Sequence, residues 1–372
     1  MLTIEFYQRH LDRVSRSFAY CISQLEAPMR SWVSMTYLIC RILDTVEDAP
    51  WKKLNLQLRQ FGEFDSFLFE RPRAEIIGSW RENFPDQIPE GEKLLLLDSG
   101  LIFEDLHGVP VQVRGIIQEM VATMSAGMQY YSQLREERGQ LRLLDLNEVN
   151  QYCFFVAGIV GETLARLLRL LEPQHISEDT KHSFVLEAHH FGLFLQKINL
   201  LKDQLKDEDE GRFFVYSRSE LKQSLAENAF GAWQFLTRLP LHQRGFRLFC
   251  AQSLFLGLAS LPWTDKSFSK KSFFKIPRWS TLRLFESLRQ NIDDNQFLEG
   301  LFKKLSDKGG ISVVARIGAK ISSRNGASMG KEEVLIGNEA VSLLKSSWYH
   351  KLYNGQLMPE DFFKLGMVEN CS

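Results

Sequence analysis

The sequence has 372 residues, with 45 Lys plus Arg against 46 Asp plus Glu, 44% hydrophobic and 24% charged residues. That is a globular composition, long enough for one large core or two modest ones. A net charge of −1 gives no global attraction to polyanions and no local basic stripe is visible, so no nucleic-acid partner is expected.

Phe is unusually frequent, 28 residues beside 7 Trp and 9 Tyr, which calls for a core, a greasy ligand or a membrane to take up the apolar aromatic surface. Residues 1–20 carry charges throughout, so neither a secretory signal nor a transit peptide is read there. Cys21, Cys40, Cys153, Cys250 and Cys371 are scattered without a CxxC pair. That excludes a disulfide framework or zinc knuckle and fits a reducing compartment, so the cytosol is expected.

Apolar residues recur at three- and four-residue spacing to about residue 260, with almost no alternating pattern, which predicts an all-α chain. Breaks are expected at Ala49-Pro50, over 71–92, at Gly108-Val109-Pro110, at Glu172-Pro173 and over 208–212. Residues 31–48, SWVSMTYLICRILDTVED, form the first strong helix. Asp44, Glu47 and Asp48 share one face of it, extended by Tyr37 and Arg41. A helix C-terminus disfavours three carboxylates, so either a cation sits beside them or they form a solvated helix end.

Residues 152–161, YCFFVAGIVG, carry no charge. Ala157, Gly158 and Gly161 permit close helix approach or leave room for a ligand, and Phe154, Phe155, Val156, Ile159 and Val160 supply a wall. Core packing accounts for most of this block but not for Tyr152, whose hydroxyl is suited to orienting a phosphate or steering a cation. Over 191–207, Gln196, Asn199, Asp203 and Asp207 draw one polar line on a helix whose Phe194, Leu195, Ile198, Leu201 and Leu205 read as core. This is either a solvated face or a set of paired or metal-bound groups. Two such stripes facing each other across a bundle would suit Mg²⁺ and a bridging diphosphate, with Arg16, Arg41, Lys202 and Arg212 adding positive charge.

The uncharged run 248–264 is too short and too polar to span a bilayer and reads as a buried helix. The Gly-rich stretch 306–331 reads as a loop, followed by an amphipathic helix over about 332–353. The Walker-like residues 326–331 lack the Ser or Thr after Lys and are set aside. His10, His107, His350 and the pair His189-His190 have no catalytic context and read as core, capping or surface residues.

Three blocks, VSRSFAYCISQLEAPMRSWVSMTYLICRILDTVED, YCFFVAGIVG and FLQKINLLKDQLKDEDEGR, resemble in order and separation the core blocks of the squalene and phytoene synthase family. The likeness runs from about residue 6 to 261 and leans, through FLQKxN, to the squalene branch. It implies an isoprenoid synthase fold, a single helical bundle with a large central cavity, for 1–372 as one domain, with 262–372 less closely matched.

The resemblance further implies Mg²⁺ ligands at Asp44, Glu47, Asp48, Asn199, Asp203 and Asp207, of which the four aspartates are also catalytic. Substrate contacts are implied at Tyr37, Arg41, Val156, Ala157, Val160, Gln196, Asn199, Lys202 and Arg212. Ser15, Arg16, Ser17 and Phe18 match a flap over substrate, Tyr152 a catalytic tyrosine, and Phe249 and Cys250 positions that receive a prenyl tail. Lys275 and Arg278 loosely echo the family's basic NADPH stretch, with bulky Trp279 next to them.

The activity implied is head-to-head condensation of two farnesyl diphosphates through presqualene diphosphate to squalene, with Mg²⁺ and NADPH. A relative without the reductive step, making presqualene diphosphate, dehydrosqualene or phytoene, is the alternative; a non-catalytic isoprenoid-binding protein is another. A monomer without a transmembrane anchor, touching a membrane peripherally for product release, is expected. The sequence departs from the family pattern with Lys202 for Arg, YCFFVAG for YCHYVAG, and Ser253 and Leu254 where a proline is usual.

Overall fold

The computed structural model describes residues 2–311, apart from 177 and 273. They pack as two compact units, one of residues 2–140 with 166–171, the other of residues 141–165 with 172–311.

In the first unit, α1 (Ile4–Val14) begins where the Thr3 hydroxyl accepts the Phe6 amide at 3.2 Å, satisfying one of the orphan donors of a helix start. It is followed by α2 (Arg16–Ile22), α3 (Met29–Asp48), α4 (Leu54–Phe69), α5 (Ala74–Glu82), α6 (Glu90–Leu97), α7 (Ser99–Gly108) and α8 (Val111–Arg138). The 20-residue α3 buries Leu38, Ile39, Ile42, Leu43 and Val46 at i, i+3 and i+4 spacing and stops at Ala49. Pro50 follows, and a residue before proline is disfavoured in helical backbone. Gly139, at φ +70°, ends α8 in the left-handed region that costs glycine nothing.

The expected break over 71–92 holds α5, because Ile77 and Trp80 offer it a buried anchor. Trp80 donates its indole N–H to the Gln60 carbonyl at 3.1 Å. It packs on Phe64 and Phe67 at ring separations of 6.5 and 5.4 Å, and both of these pack on Phe103 at 5.5 Å, so part of the Phe excess is core.

In the second unit, β1 (Leu141–Arg142) precedes α9 (Leu146–Cys153), a π-helical turn (Phe154–Gly158) and α10 (Ile159–Leu171), which ends in the first unit. Then come α11 (Glu178–Asp209), β2 (Arg212–Phe213), α12 (Arg218–Arg238), α13 (Arg244–Lys270), α14 (Arg278–Asn291) and α15 (Asn295–Lys308). The two strands pair in parallel, Leu141 with Arg212. Asp145 caps α9 by accepting the Glu148 amide at 2.9 Å, and the Glu148 carboxylate accepts the Leu144 amide at 2.8 Å, a reciprocal arrangement that fixes the helix start.

The run 248–264 lies within α13, which continues through Pro262. Fully buried Arg247 donates to the carbonyls of Leu236, Leu239 and Ile292 and to Asn295, tying α13 to the ends of α12 and α14. Among the described residues no helix is long and apolar enough to cross a membrane.

The Gly-rich stretch starts later than expected, since residues 306–308 still belong to α15. The remainder of that stretch from 312, the Walker-like residues 326–331, the helix expected over 332–353, His350 and Cys371 lie outside the described residues.

Candidate functional site

In the first unit the candidate residues gather on α3 and at the junction of α1 and α2. Ser15 breaks the two helices apart with extended backbone, at φ −160°, and its side chain hydrogen-bonds to the Tyr37 hydroxyl. Phe18 stacks on the Tyr37 ring at 5.9 Å, and Ser17 is exposed. The Arg16 side chain lies outside the described residues. One turn beyond Tyr37, Arg41 reaches Asp44 at 3.5 Å with one nitrogen and bonds Glu92 of α6 with another. Glu92 is buried and also accepts the Thr45 hydroxyl at 3.4 Å.

The cation that three carboxylates at a helix C-terminus require is thus in part Arg41. It does not suffice. Although 36% of the Asp44 side chain is exposed, loss of solvent around the carboxyl, with Arg41 opposing and Asp48 and Glu92 repelling, pushes its pKa up to about 7. Further positive charge at this helix end would relieve that cost. Glu47 is half-buried and Asp48 exposed.

The second unit builds its set on α9, the π turn, α11 and β2. Tyr152 is buried and stacks on Phe214, centroids 4.5 Å apart at 22°. The chain after it does not continue as a plain α-helix. Residues 154–158 widen into a π turn where the backbone meets α11 at very close range. A Cβ on Gly161 would lie 1.8 Å from the Ala188 carbonyl oxygen, and one on Gly192 2.2 Å from that of Ala157. The small residues therefore serve a backbone-to-backbone crossing. Phe154 and Phe155 are buried while Val156, Ala157 and Val160 stay half-buried. π turns of this kind recur at functional sites.

On α11, Phe194, Ile198 and Leu201 are core, as the pattern predicts. Leu195 and Leu205 are only half-buried, a correction to their reading as core: they flank the polar line and share its exposure. Gln196 is half-buried, Asn199 exposed, Asp203 half-buried and Asp207 buried, so the line deepens towards its C-terminal end. Lys202 lies 3.1 Å from Asp203 and donates to Asn199 at 3.3 Å. Arg212, delivered by β2, pairs with Asp207 at 3.2 Å and with Glu210. Burial pushes the Asp207 pKa up to about 6, with Arg212 pulling it down and Asp203 and Glu210 pushing it further up.

Phe249 and Cys250 are buried in α13. Lys275 and Arg278 are exposed on either side of Pro277, which caps α14, and Trp279 beside them is 63% exposed.

Two residues escape the sequence pattern. Glu92, the partner of Arg41, is far from it in sequence. Lys197, fully buried on α11, donates to Ser224 and Asn228 of α12 at 2.6 Å each. Its signal is there in retrospect: a lysine three residues after Phe194 and four before Leu201 stands on the apolar face.

Asp44 and Asp48 stand at i, i+4 on α3, and Asp203 and Asp207 do so on α11; Asp44 and Asp207 are raised in pKa, each beside an arginine, and each pair by itself offers the hard oxygen donors that fit Mg²⁺. Exposed Lys275 and Arg278 at the N-terminus of α14 fit the phosphates of a nucleotide.

Residues 11–247 match the model of the family described as squalene/phytoene synthase. The chain is 32% identical over 208 residues to the squalene synthase of Schizosaccharomyces pombe, covering 55% of this chain and 42% of that protein. It is 34% identical over 205 residues to that of Mycosarcoma maydis, 55% and 34% covered, and 32% identical over 208 residues to that of Bos taurus, 55% and 45% covered. The matching segment spans less than half the length of each of these curated relatives. Among solved structures, the complex of TcSQS with the ligand BPH1237 aligns with a TM-score of 0.64 at 20% identity, over 94% of this chain and 98% of that one. The complex with E5700 gives 0.61, also at 20% identity, over 92% and 96%. These likenesses show the isoprenoid synthase fold. With its family blocks assembled as described, the chain belongs to the squalene/phytoene synthase family.

Proposed function

We propose that this chain is a squalene synthase, condensing two farnesyl diphosphates head to head to presqualene diphosphate and reducing that to squalene, as a monomer working as one catalytic domain. The observation that carries the proposal is the recurrence of one device on two helices: two aspartates four residues apart, Asp44 and Asp48 on α3 and Asp203 and Asp207 on α11, with one of each pair, Asp44 and Asp207, raised in pKa beside an arginine, Arg41 and Arg212.

Asp44, Glu47, Asp48, Asn199, Asp203 and Asp207 would hold Mg²⁺, which when bound draws negative charge off the leaving diphosphate. Arg41 beside the first set of carboxylates, and Lys202 and Arg212 beside the second, add charge-assisted donors for diphosphate oxygens, and the planar fork of an arginine suits them best. Ser15, Ser17 and Phe18, at the α1–α2 junction against Tyr37, cover the substrate head and exclude water. The Tyr152 hydroxyl, its ring held flat on Phe214, relays the proton lost as the cyclopropane closes to the released diphosphate, giving up its own proton as it takes that one. Phe154, Phe155, Val156 and Val160 with Phe249 and Cys250 give the prenyl chains a dry apolar wall, which an allylic cation needs to escape quenching. Lys275 and Arg278 would hold the phosphates of NADPH, whose nicotinamide supplies the hydride.

The test is product analysis by mass spectrometry after incubation with farnesyl diphosphate and Mg²⁺, with and without NADPH. Presqualene diphosphate without NADPH and squalene with it are expected. Presqualene diphosphate alone under both conditions would assign the reaction that omits reduction; no C30 product would overturn the proposal. In the Lys275→Ala/Arg278→Ala variant, presqualene diphosphate should accumulate at limiting NADPH while its formation is unchanged.

A further inference from the structure

At the end of the second unit away from its acidic stripe, two turns meet. The first follows α10, where His175 folds back so that its amide bonds the Glu172 carbonyl at 3.1 Å. The second links α12 to α13, where the Gln243 amide bonds the Pro240 carbonyl at 3.0 Å and His242 is held between them. Their side chains converge. His175 Nδ1 lies 2.8 Å from one oxygen of Glu172 and His242 Nε2 lies 2.9 Å from the other. The two imidazole rings stand 4.7 Å apart, and all three donor atoms fall within 4.8 Å of one another. Glu172 keeps 14% of its side-chain surface, His175 and His242 about half of theirs.

We infer that Glu172, His175 and His242 form a site for a zinc-like divalent transition metal ion, with a fourth position open to water. Two imidazole nitrogens and one carboxylate oxygen are the donor set of an open tetrahedral zinc site, whose neighbouring donors stand about 3.3 Å apart at bonds of 2.0–2.1 Å. The histidine nitrogens contact one carboxylate oxygen each at 2.8 and 2.9 Å, so turning the carboxylate and the two imidazoles about their side-chain torsions brings the donors around one ion, and both histidines ride on turns rather than helices. Imidazole nitrogen discriminates against Mg²⁺ and Ca²⁺, which take oxygen. Gln243 donates to the same oxygen as His242 and orients the carboxylate, as outer partners do in metal sites.

The location gives the ion a role. The turns lie before α11 and after α12, so a bound metal would close a loop of about 67 residues and staple the open end of the helical pair that carries Asp203 and Asp207. It would sit at the far end of α11 from those aspartates, roughly 37 Å along the helix at 1.5 Å per residue. The site is therefore independent of the Mg²⁺ chemistry proposed above.

The experiment is titration of the whole, metal-stripped protein with Zn²⁺ in saturating Mg²⁺, read by calorimetry and thermal melting, with Co²⁺ as the spectroscopic probe. One Zn²⁺ per chain should bind, raise Tm by several degrees, and give with Co²⁺ the intense visible bands of a tetrahedral site. His175→Ala and His242→Ala should each weaken binding by at least about tenfold, the lower end of what even an outer partner contributes to a metal site. Glu172→Gln, which keeps hydrogen-bonding capacity towards both imidazoles, should do the same without loss of fold. Asp203→Asn should leave Zn²⁺ binding as it was. No Zn²⁺ binding in the presence of Mg²⁺, binding unchanged in both histidine variants, or binding lost in Asp203→Asn would overturn the inference and leave the three residues a hydrogen-bonded clip.

Discussion

Arg212 lies 3.2 Å from Asp207, closing the second acidic stripe with a guanidinium delivered by a two-residue strand. The pairing is held by the β1–β2 ladder, in which Leu141 and Leu143 donate to the carbonyls of Gly211 and Phe213 at 3.1 and 3.0 Å. A cation that already neighbours a buried carboxylate is placed to meet the diphosphate proposed to bind there. Arg212→Ala is expected to lower kcat with farnesyl diphosphate by about 100-fold or more, the cost of removing one preorganised charge stabiliser. Steady-state kinetics beside a circular dichroism melt checks this, and a kcat within a few-fold of wild type would remove Arg212 from the diphosphate site.

Tyr152→Phe removes a hydroxyl and keeps the ring that stacks on Phe214. Turnover should fall by about 100-fold, the scale of a positioned proton-transfer group, while Tm moves little. Equal losses of activity and stability would make Tyr152 a packing residue.

Gly161→Ala puts a methyl group into the Ala188 carbonyl, with backbone on both sides and no flexible side chain to yield. The π turn and α11 must separate, at a cost of about 1–3 kcal/mol or more. Urea denaturation should show the loss, and Gly62→Ala, which meets nothing within 4 Å, serves as the control that should not.

Much of this was legible in the sequence. The i, i+3, i+4 spacing of α3 and α11 announced both the helices and their carboxylate faces, since periodicity depends only on backbone geometry. Tertiary facts were not legible: Trp80 turning a proline-rich break into a helix, the π turn that the Gly161 and Gly192 crossing accompanies, and Glu92 arriving from another helix to hold Arg41. The convergence of Glu172, His175 and His242 was equally hidden, because it depends on where two turns meet.

Lys197 makes a pH prediction. Burial pulls its pKa down from 10.5 to about 8, with Cys153 and Glu227 opposing. Between those values the unfolded chain binds the proton that the folded one releases, so stability rises with pH across that window. Below about 8 both states are charged and the dependence vanishes. Wild type should gain about 3 kcal/mol over Lys197→Met between pH 8 and 10.5. Denaturation curves of the two proteins across this range check it, and a constant difference would contradict a depressed Lys197.

We propose that the carboxylates of α3 and those of α11 are each required for a metal-assisted ionisation, and diphosphate release from farnesyl diphosphate measures this directly. Wild type should release diphosphate only with Mg²⁺ present. Asp44→Asn and Asp203→Asn should each fall to background at saturating Mg²⁺, with Tm unchanged or raised, because each substitution removes a ligand and a carboxylate repulsion together. Mg²⁺-dependent release at near wild-type rate in either variant would contradict the account.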